Sequence, residues 1–365
     1  MERNRMKHNR IAVKIGSNVL TRADGKLDIT RMSSLVDQVS TLRQQGVEVV
    51  LISSGAVASG KSELIAPRKL DTVSARQLYS AVGQAKLINR YYELFREHGL
   101  VCGQVLTTKE SFSSRTHYLN QKHCMEVMLE NNVIPIVNEN DTISVTELMF
   151  TDNDELSGLV ATMLSMDALI ILSNIDGIYN GNPTDPTSEV IKEWSGNTLD
   201  PTSFISTNKS SFGRGGMLTK CNTARKVADE GITVYIANGK KDNILLSLLS
   251  EDNDIVCTRF IPSDKVPSSM KKWIAHSEGF AKGIVRINAG AEQALFREQA
   301  TSLLFVGIDT IEGDFEKDDI IRIYNEQGNY IGIGSSSYDA RTASTLIGQK
   351  AQRPLIHYDH LCLMI

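Results

Sequence analysis

Apolar residues recur along roughly the first 260 positions in two alternating patterns. Short runs of strand length fall at 11–15, 47–53, 101–106, 133–137, 168–173 and 233–236. Between them, at 30–45, 73–98, 115–131, 154–166 and 217–230, apolar positions follow a helical spacing. Continuous apolar strands separated by amphipathic helices predict an α/β domain, its largely parallel sheet covered by helices on both faces. In such sheets ligands gather beyond the carboxyl ends of the strands, so the residues that follow each run are the candidates for chemistry.

The rhythm changes near residue 260. Residues 259–273 (RFIPSDKVPSSMKKW) carry two prolines, three serines and four basic side chains, which predicts an exposed linker over 261–277. Beyond it, strands are expected at 283–287, 303–306, 320–324 and 330–335, with turns at 312–314 and 326–328. That spacing predicts a small β-barrel or sandwich of about 80 residues. Two domains also suit a chain of 365 residues.

Four segments carry candidate chemistry. The first strand ends in Val13, Lys14, Ile15, Gly16, Ser17 and Asn18. A lysine inside an apolar strand is costly unless its ammonium reaches solvent or an anion, and the following Gly-Ser-Asn can offer backbone N–H groups to that anion. The second strand runs into residues 55–62 (GAVASGKS), a literal match to the P-loop pattern G-x-x-x-x-G-K-[ST]. A P-loop lysine opens a long helix, yet only four residues separate Ser62 from the helix-breaking Pro67. Nor does a strand lead straight into a magnesium-binding aspartate, because 168–172 meets Ser173 and Asn174 before Asp176. The P-loop reading is therefore set aside, and the small Ser-Ser-Gly-Ala stretch is read as a place where backbone approaches a ligand.

The densest polar cluster is Asn138, Glu139, Asn140, Asp141 and Thr142, followed by Thr151, Asp152, Asn153 and Asp154. The alternating segment between them, 142–150, is expected to be a hairpin. Helix capping accounts for one of the later aspartates but not for Asn138, Asp141 and Asn153 together. These groups suit a small zwitterion, with carboxylates for an ammonium and amides for carboxylate oxygens, and they lack the spacing of a calcium loop. Finally, Gly213, Arg214, Gly215 and Gly216 precede Met217, Leu218, Thr219 and Lys220 at the start of an amphipathic helix, the recipe for holding polyphosphate.

Taken in order, these segments resemble the amino acid kinase family. The matching pieces are VKIGSNVLT at 13–21, SSGAVASG at 53–60, AVGQ at 81–84, the long stretch at 135–161, ILSNIDGIYNGNP at 171–183 and GRGGMLTK at 213–220. Residues 287–308 and 312–319 are similar to the PUA domain attached to many members. The stretch at 135–161 resembles above all the branch that phosphorylates the side-chain carboxylate of L-glutamate. The resemblance implies an α/β three-layer sandwich with a mostly parallel sheet over residues 1–260 and a small β-barrel-like PUA domain over 278–365. It implies that Lys14 and Lys220, with Asp154, serve phosphoryl transfer. ATP would be held by Lys14, Ser173, Asn174, Arg214, Gly215, Gly216, Met217, Leu218, Thr219 and Lys220. Glutamate would be held by Ser54, Asn138, Asp141, Asp152, Asn153 and Asp154. Mg²⁺ is expected with ATP as co-substrate, without a protein metal site. The resemblance further implies a first step of proline synthesis with feedback inhibition by proline, and a homodimer or homotetramer. Asn174 and Arg214 depart from the aspartate and threonine usual in the family, both on the nucleotide side.

Charge and cysteine content narrow the picture. Net charge is −4, and residues 278–365 hold 8 Lys and Arg against 12 Asp and Glu, leaving the preceding residues balanced at 31 of each. An acidic domain is a poor binder of phosphate backbone, so RNA is not an expected partner. The five cysteines are scattered without a CxxC pair, which fits a reduced cytoplasm. No apolar run is long enough to cross a bilayer, and the polar, basic first ten residues do not lead into a signal peptide.

Overall fold

The apolar runs of the central strands form a sheet buried on both faces, whereas the run at 101–106 lies at the sheet edge and is only partly covered. The protein is seen here in a computed structural model that describes residues 6–64, 70–144, 150, 153–195, 216–251, 255–264, 268–297, 301–350 and 353–363. Strands β1 (Arg10–Ile15), β2 (Glu48–Ser53), β3 (Val101–Thr107) and β4 (Val133–Glu139) come first in the chain. They are followed by β5 (Ala168–Ser173), β6 (Glu193–Trp194), β7 (Thr233–Asn238) and β8 (Thr258–Phe260). Among the described residues these eight form one sheet in the order β3-β4-β2-β1-β5-β7-β8-β6. The pairings are parallel except for the antiparallel β7 and β8. The helices are α1 (Ser17–Leu20), α2 (Ile29–Gln44), α3 (Ala56–Glu63), α4 (Thr72–Glu97), α5 (Arg115–Glu130), α6 (Asn153–Met163), α7 (Met217–Asp229) and α8 (Ile244–Leu249). Strand and helix boundaries agree with the expected segments to within a few residues.

Side-chain alternation in β1 divides the domain into layers. Ile11, Val13 and Ile15 join a core with Leu35 and Val39 of α2, Tyr91 and Phe95 of α4, and Leu245 and Leu248 of α8. Ala12 and Lys14 turn to the opposite face, where α6 packs on β1 and β5, and α7 on β7. A central strand, paired on both sides, thus delivers one lysine to the face that carries α6 and α7.

Two glycines fix α3 against α4. A Cβ on Gly60 would lie 1.8 Å from the carbonyl oxygen of Tyr79, and one on Gly83 would lie 1.8 Å from that of Ala56. Both obstacles are backbone atoms, so no side chain fits at either position. Asp71 caps α4, accepting from the backbone N–H groups of Val73 and Ser74 at 2.9 and 3.0 Å.

The chain divides into two units, Met1–Ser111 with Leu119–Val266, and Phe112–Tyr118 with Pro267–Ile365. In the second, β9 (Gly283–Ile287), β10 (Ile308–Gly313), β11 (Ile320–Tyr324), β12 (Tyr330–Ser335) and β13 (Leu361–Leu363) form a sheet in the order β10-β9-β11-β12-β13. Its own core includes Val285, Phe305, Phe315, Ile321, Ile323 and Leu355. Within the expected linker, Ser269–Ala275 form helix α9, capped by Ser268 and burying Trp273. The strand expected at 303–306 is instead an isolated bridge at Leu303 followed by a 3₁₀ turn at Phe305–Gly307. The strand comes just after it, as β10, where Glu312 and Gly313 continue the ladder rather than turn.

Candidate active site

The carboxyl ends of β1, β2, β4 and β5 open on a cavity of about 950 Å³ in the first unit. Its lining includes Lys14, Ser54, Asn138, Asp141, Asn153, Asp154, Ser173, Asn174, Gly216, Met217 and Lys220. Most expected site residues therefore meet in one place. Leu218 and Thr219, in the same turn as Met217, do not line it. Asp152, Arg214 and Gly215 lie outside the described residues, as does most of the expected hairpin at 142–150.

At one end of the cavity a carboxylate is shared by two ammonium groups. Asp154 Oδ1 is 2.6 Å from Lys14 Nζ, and Lys220 Nζ donates to Asp154 Oδ2 at 2.8 Å. Asp154 is wholly buried and Lys14 nearly so. A buried carboxylate requires this pairing, because desolvating it without partners is prohibitive. Burial alone pushes the Asp154 carboxyl up, but the two ammonium groups outweigh it and hold it below the ordinary value. Asp154 sits inside the first turn of α6, so the capping role considered from the sequence does not describe it. Lys220 lies in the first turn of α7, whose N-cap, Gly216, has extended backbone.

Amides gather beside this centre, starting from Asn153, the residue before Asp154. Asn153 Nδ2 donates to Ser54 Oγ at 3.1 Å and to Asn138 Oδ1 at 3.0 Å, linking the ends of β2 and β4 to α6. Ser54 is held there by its own N–H, which donates to Ile15 O at 3.2 Å, and by Gly55, whose φ of +108° turns the chain into α3. Next to these lies an ion cluster: Arg76 Nη2 is 3.0 Å from Glu139 Oε2 and also pairs with Asp141. Glu139 Oε1 accepts from Ser144 Oγ at 2.8 Å and from the Phe150 N–H at 2.9 Å. Burial, aided by the neighbouring Asp141 charge, raises the Glu139 carboxyl above its ordinary value despite these donors and Arg76.

The third wall follows β5. Ser173 O accepts from the Gly239 N–H at 2.8 Å, which fixes the strand end, and Ser173 Oγ donates weakly to Asn174 Oδ1 at 3.4 Å. Tyr179, Asn182 and Pro183 complete this side.

The literal P-loop match resolves against that motif. Helix α3 starts at Ala56, so Lys61 falls in its last turn rather than its first. The Lys61 ammonium stands 5.9 Å from the centroid of the Tyr79 ring. The residues that sequence reading missed are on α4, above all Arg76 and Tyr79, together with Glu139, which was read as part of the polar cluster without a role. A signal for Arg76 was present: it stands one helical turn before Ser80 on the stripe Ser80, Gly83, Gln84, Leu87 and Tyr91, which is buried. Among the described residues no group of three His, Cys, Asp or Glu is arranged for a metal, and no helix is long and apolar enough to cross a membrane.

Comparison with known proteins extends these observations. The sequence model of the amino acid kinase family matches residues 9–238, and that of the PUA domain matches residues 283–358. The chain belongs to the amino acid kinase family, and it carries a C-terminal PUA domain. It is 66% identical over 352 residues to Glutamate 5-kinase of Bacteroides thetaiotaomicron, covering 96% of this chain and 98% of that protein. It is 48% identical over 362 residues to Glutamate 5-kinase of Chlorobaculum tepidum, covering 98% of each. These identities put it in the glutamate 5-kinase branch of the family. Among solved structures, carbamate kinase from Giardia lamblia bound to AMP-PNP shares the fold with a TM-score of 0.51 at 13% identity, covering 70% of this chain and 99% of that one.

Proposed function

We propose that the protein transfers the γ-phosphoryl group of ATP to the side-chain carboxylate of L-glutamate, the first step of proline synthesis. The observation that carries this reading is that one cavity holds both a two-lysine centre and an amide-and-carboxylate end. The names of the relatives support the same substrate.

A carboxylate with an ordinary pKa near ~4.3 is ionised at neutral pH, so the acceptor needs no general base. Catalysis is then positioning and charge neutralisation in an in-line transfer. Lys14 and Lys220 neutralise the transferring group, and Asp154 keeps both ammonium groups at the transfer position. Because both Asp154 oxygens face lysines, it serves this role rather than contacting glutamate directly. Ser173, Asn174, Gly216 and Met217 form the nucleotide side, which Arg214 and Gly215 extend along the same loop. Ser54, Asn138, Asp141 and Asn153, with Asp152, form the glutamate side. Mg²⁺ enters as part of the MgATP substrate and lowers the charge of the phosphates; the single carboxylate at the transfer end, already paired with two lysines, is not a cage for a resident ion.

The same reading assigns residues 1–260 to catalysis and gives the acidic PUA domain no RNA to hold. It extends to feedback by proline, which presents a carboxylate and a ring ammonium as glutamate does at its α-carbon; inhibition indifferent to glutamate concentration would count against competition at this site. A homo-oligomer through the first unit is part of the proposal, consistent with exposed Tyr92, Val101 and Leu119, and light scattering tests it.

The experiment that tests the reaction traps the acyl phosphate with hydroxylamine, in the presence of MgATP and L-glutamate, L-aspartate or N-acetyl-L-glutamate. Hydroxamate from glutamate alone is the expected result. Hydroxamate from another carboxylate instead, or from none, overturns the substrate assignment.

A further inference from the structure

Helix α4 brings Thr72, Ala75, Arg76 and Tyr79 to the wall of the cavity. Arg76 is the residue of interest. Its side chain is mostly buried, yet lines the cavity, and it lies between two carboxylates of the β4 end. The two are not equivalent. Glu139 is occupied by the protein itself, with Oε1 taking two donors and Oε2 facing the guanidinium. Asp141 faces the guanidinium through Oδ1, while Oδ2 has a longer contact of 3.3 Å from Ser80 Oγ. Glu139 is thus an anchor for the guanidinium, and Asp141 is its exchangeable partner.

An α-amino acid places one ammonium and one carboxylate on a single carbon. A site that reads this pair needs an anion and a cation side by side, and Arg76 with Asp141 is such a pair. The other cations of the wall are placed elsewhere: Lys14 and Lys220 are on Asp154, and Lys61 stands over the Tyr79 ring. A planar guanidinium also suits a carboxylate better than an ammonium does, because it donates two parallel N–H groups. The bland alternative is that Arg76 only clamps the loop after β4.

We propose that Arg76 is a specificity-determining residue that binds the non-reacting α-carboxylate of the amino acid substrate, while Asp141 takes its ammonium and Glu139 holds the guanidinium in place. The proposal rests on the assignment of this end of the cavity to an amino acid acceptor. It makes the enzyme a reader of the free α-carboxylate, so derivatives that keep the reacting side chain but mask that group are excluded.

The test compares L-glutamate with L-glutamic acid α-amide, which keeps the ammonium and the side-chain carboxylate but replaces the α-carboxylate with a neutral amide. Wild type should prefer glutamate by about 100-fold in kcat/KM, the scale of one charge-assisted hydrogen-bonded pair. In Arg76→Gln, KM for glutamate should rise about 100-fold with kcat within a few-fold, while kcat/KM for the α-amide changes by less than about threefold. The preference then collapses. Arg76→Lys, which keeps the charge and loses the fork, should retain part of it. The KM for MgATP reports in each variant whether the fold of the site persists. An equal loss for both substrates in Arg76→Gln and Arg76→Lys, or an undiminished preference, overturns the proposal in favour of a clamp. If wild type turns over neither compound, the assignment of the acceptor itself fails, and this inference with it.

Discussion

The two ends of the cavity are built from the same kinds of group in opposite proportion. At one end a single carboxylate, Asp154, lies between two ammonium groups; at the other a single guanidinium, Arg76, lies between two carboxylates. Asp154 and Glu139 are both buried, yet Asp154 is held below its ordinary value and Glu139 above it. Burial acts on both in the same direction, so the count of neighbouring charges decides the sign. The formal surplus is positive where phosphoryl oxygens would come and negative where an ammonium would come. On the proposed reading, this charge distribution orients the cavity for its substrates.

The largest effect should come from breaking the lysine end. Lys14→Ala or Lys220→Ala should lower kcat by about 10³-fold or more, the scale seen when a preorganised charge donor is removed. Circular dichroism of each variant separates this loss from unfolding; near-normal turnover in either would remove the distinction between the two ends. Next, Asp141→Asn should raise KM for glutamate about 100-fold while leaving kcat and the KM for MgATP within a few-fold. A fall confined to kcat would put Asp141 on the transfer side instead.

A subtler effect follows from the opposite shifts. Stability contributed by the ionised Asp154 is present above its unfolded value of 3.8 and is lost as pH falls through its depressed folded value. Glu139 behaves in the reverse sense, because its folded form keeps a proton over the window that begins at 4.5 and extends upward. Wild type should therefore gain stability relative to Glu139→Gln as pH is lowered from 7 towards 4.5, as followed by urea unfolding. A gap that stays constant or widens in the variant's favour would show that the two carboxyls do not differ in this way. The smallest effect is expected at Lys61, which the P-loop pattern would make essential. Lys61→Ala should change turnover by less than about tenfold, since a cation over an aromatic ring contributes little at an exposed site.

Much of this was legible in the chain because the central strands of the first unit are buried on both faces and the long helices α2 and α4 bury one stripe. Lys14 stood out as a charge in an apolar strand, and the acid-amide cluster stood out by density after β4. Arg76 did not, because a single arginine near the start of a long helix looks like any solvated position until the stripe it heads is known to be buried. Lys61 is the opposite case: a literal pattern match that Pro67 already argued against from the sequence, and that the helix direction of α3 empties of meaning. In the second unit, the run at 303–306 has the burial alternation of a strand, with Leu303 and Phe305 buried and Leu304 and Val306 exposed. The chain nonetheless turns there, and the strand that follows, β10, shows little apolar alternation and so gave a weak signal.

The position of Lys14 in β1 makes that strand a ruler. Its neighbours in register, Ile52 on β2 and Ile171 on β5, hold it from both sides. A single residue inserted between Arg10 and Val13, with the strand's start kept in place, would rotate the lysine to the α2 and α4 side, away from Asp154 and into an apolar layer. Substitutions that conserve size along β1 should be absorbed, whereas a change of length, chemically trivial, should not.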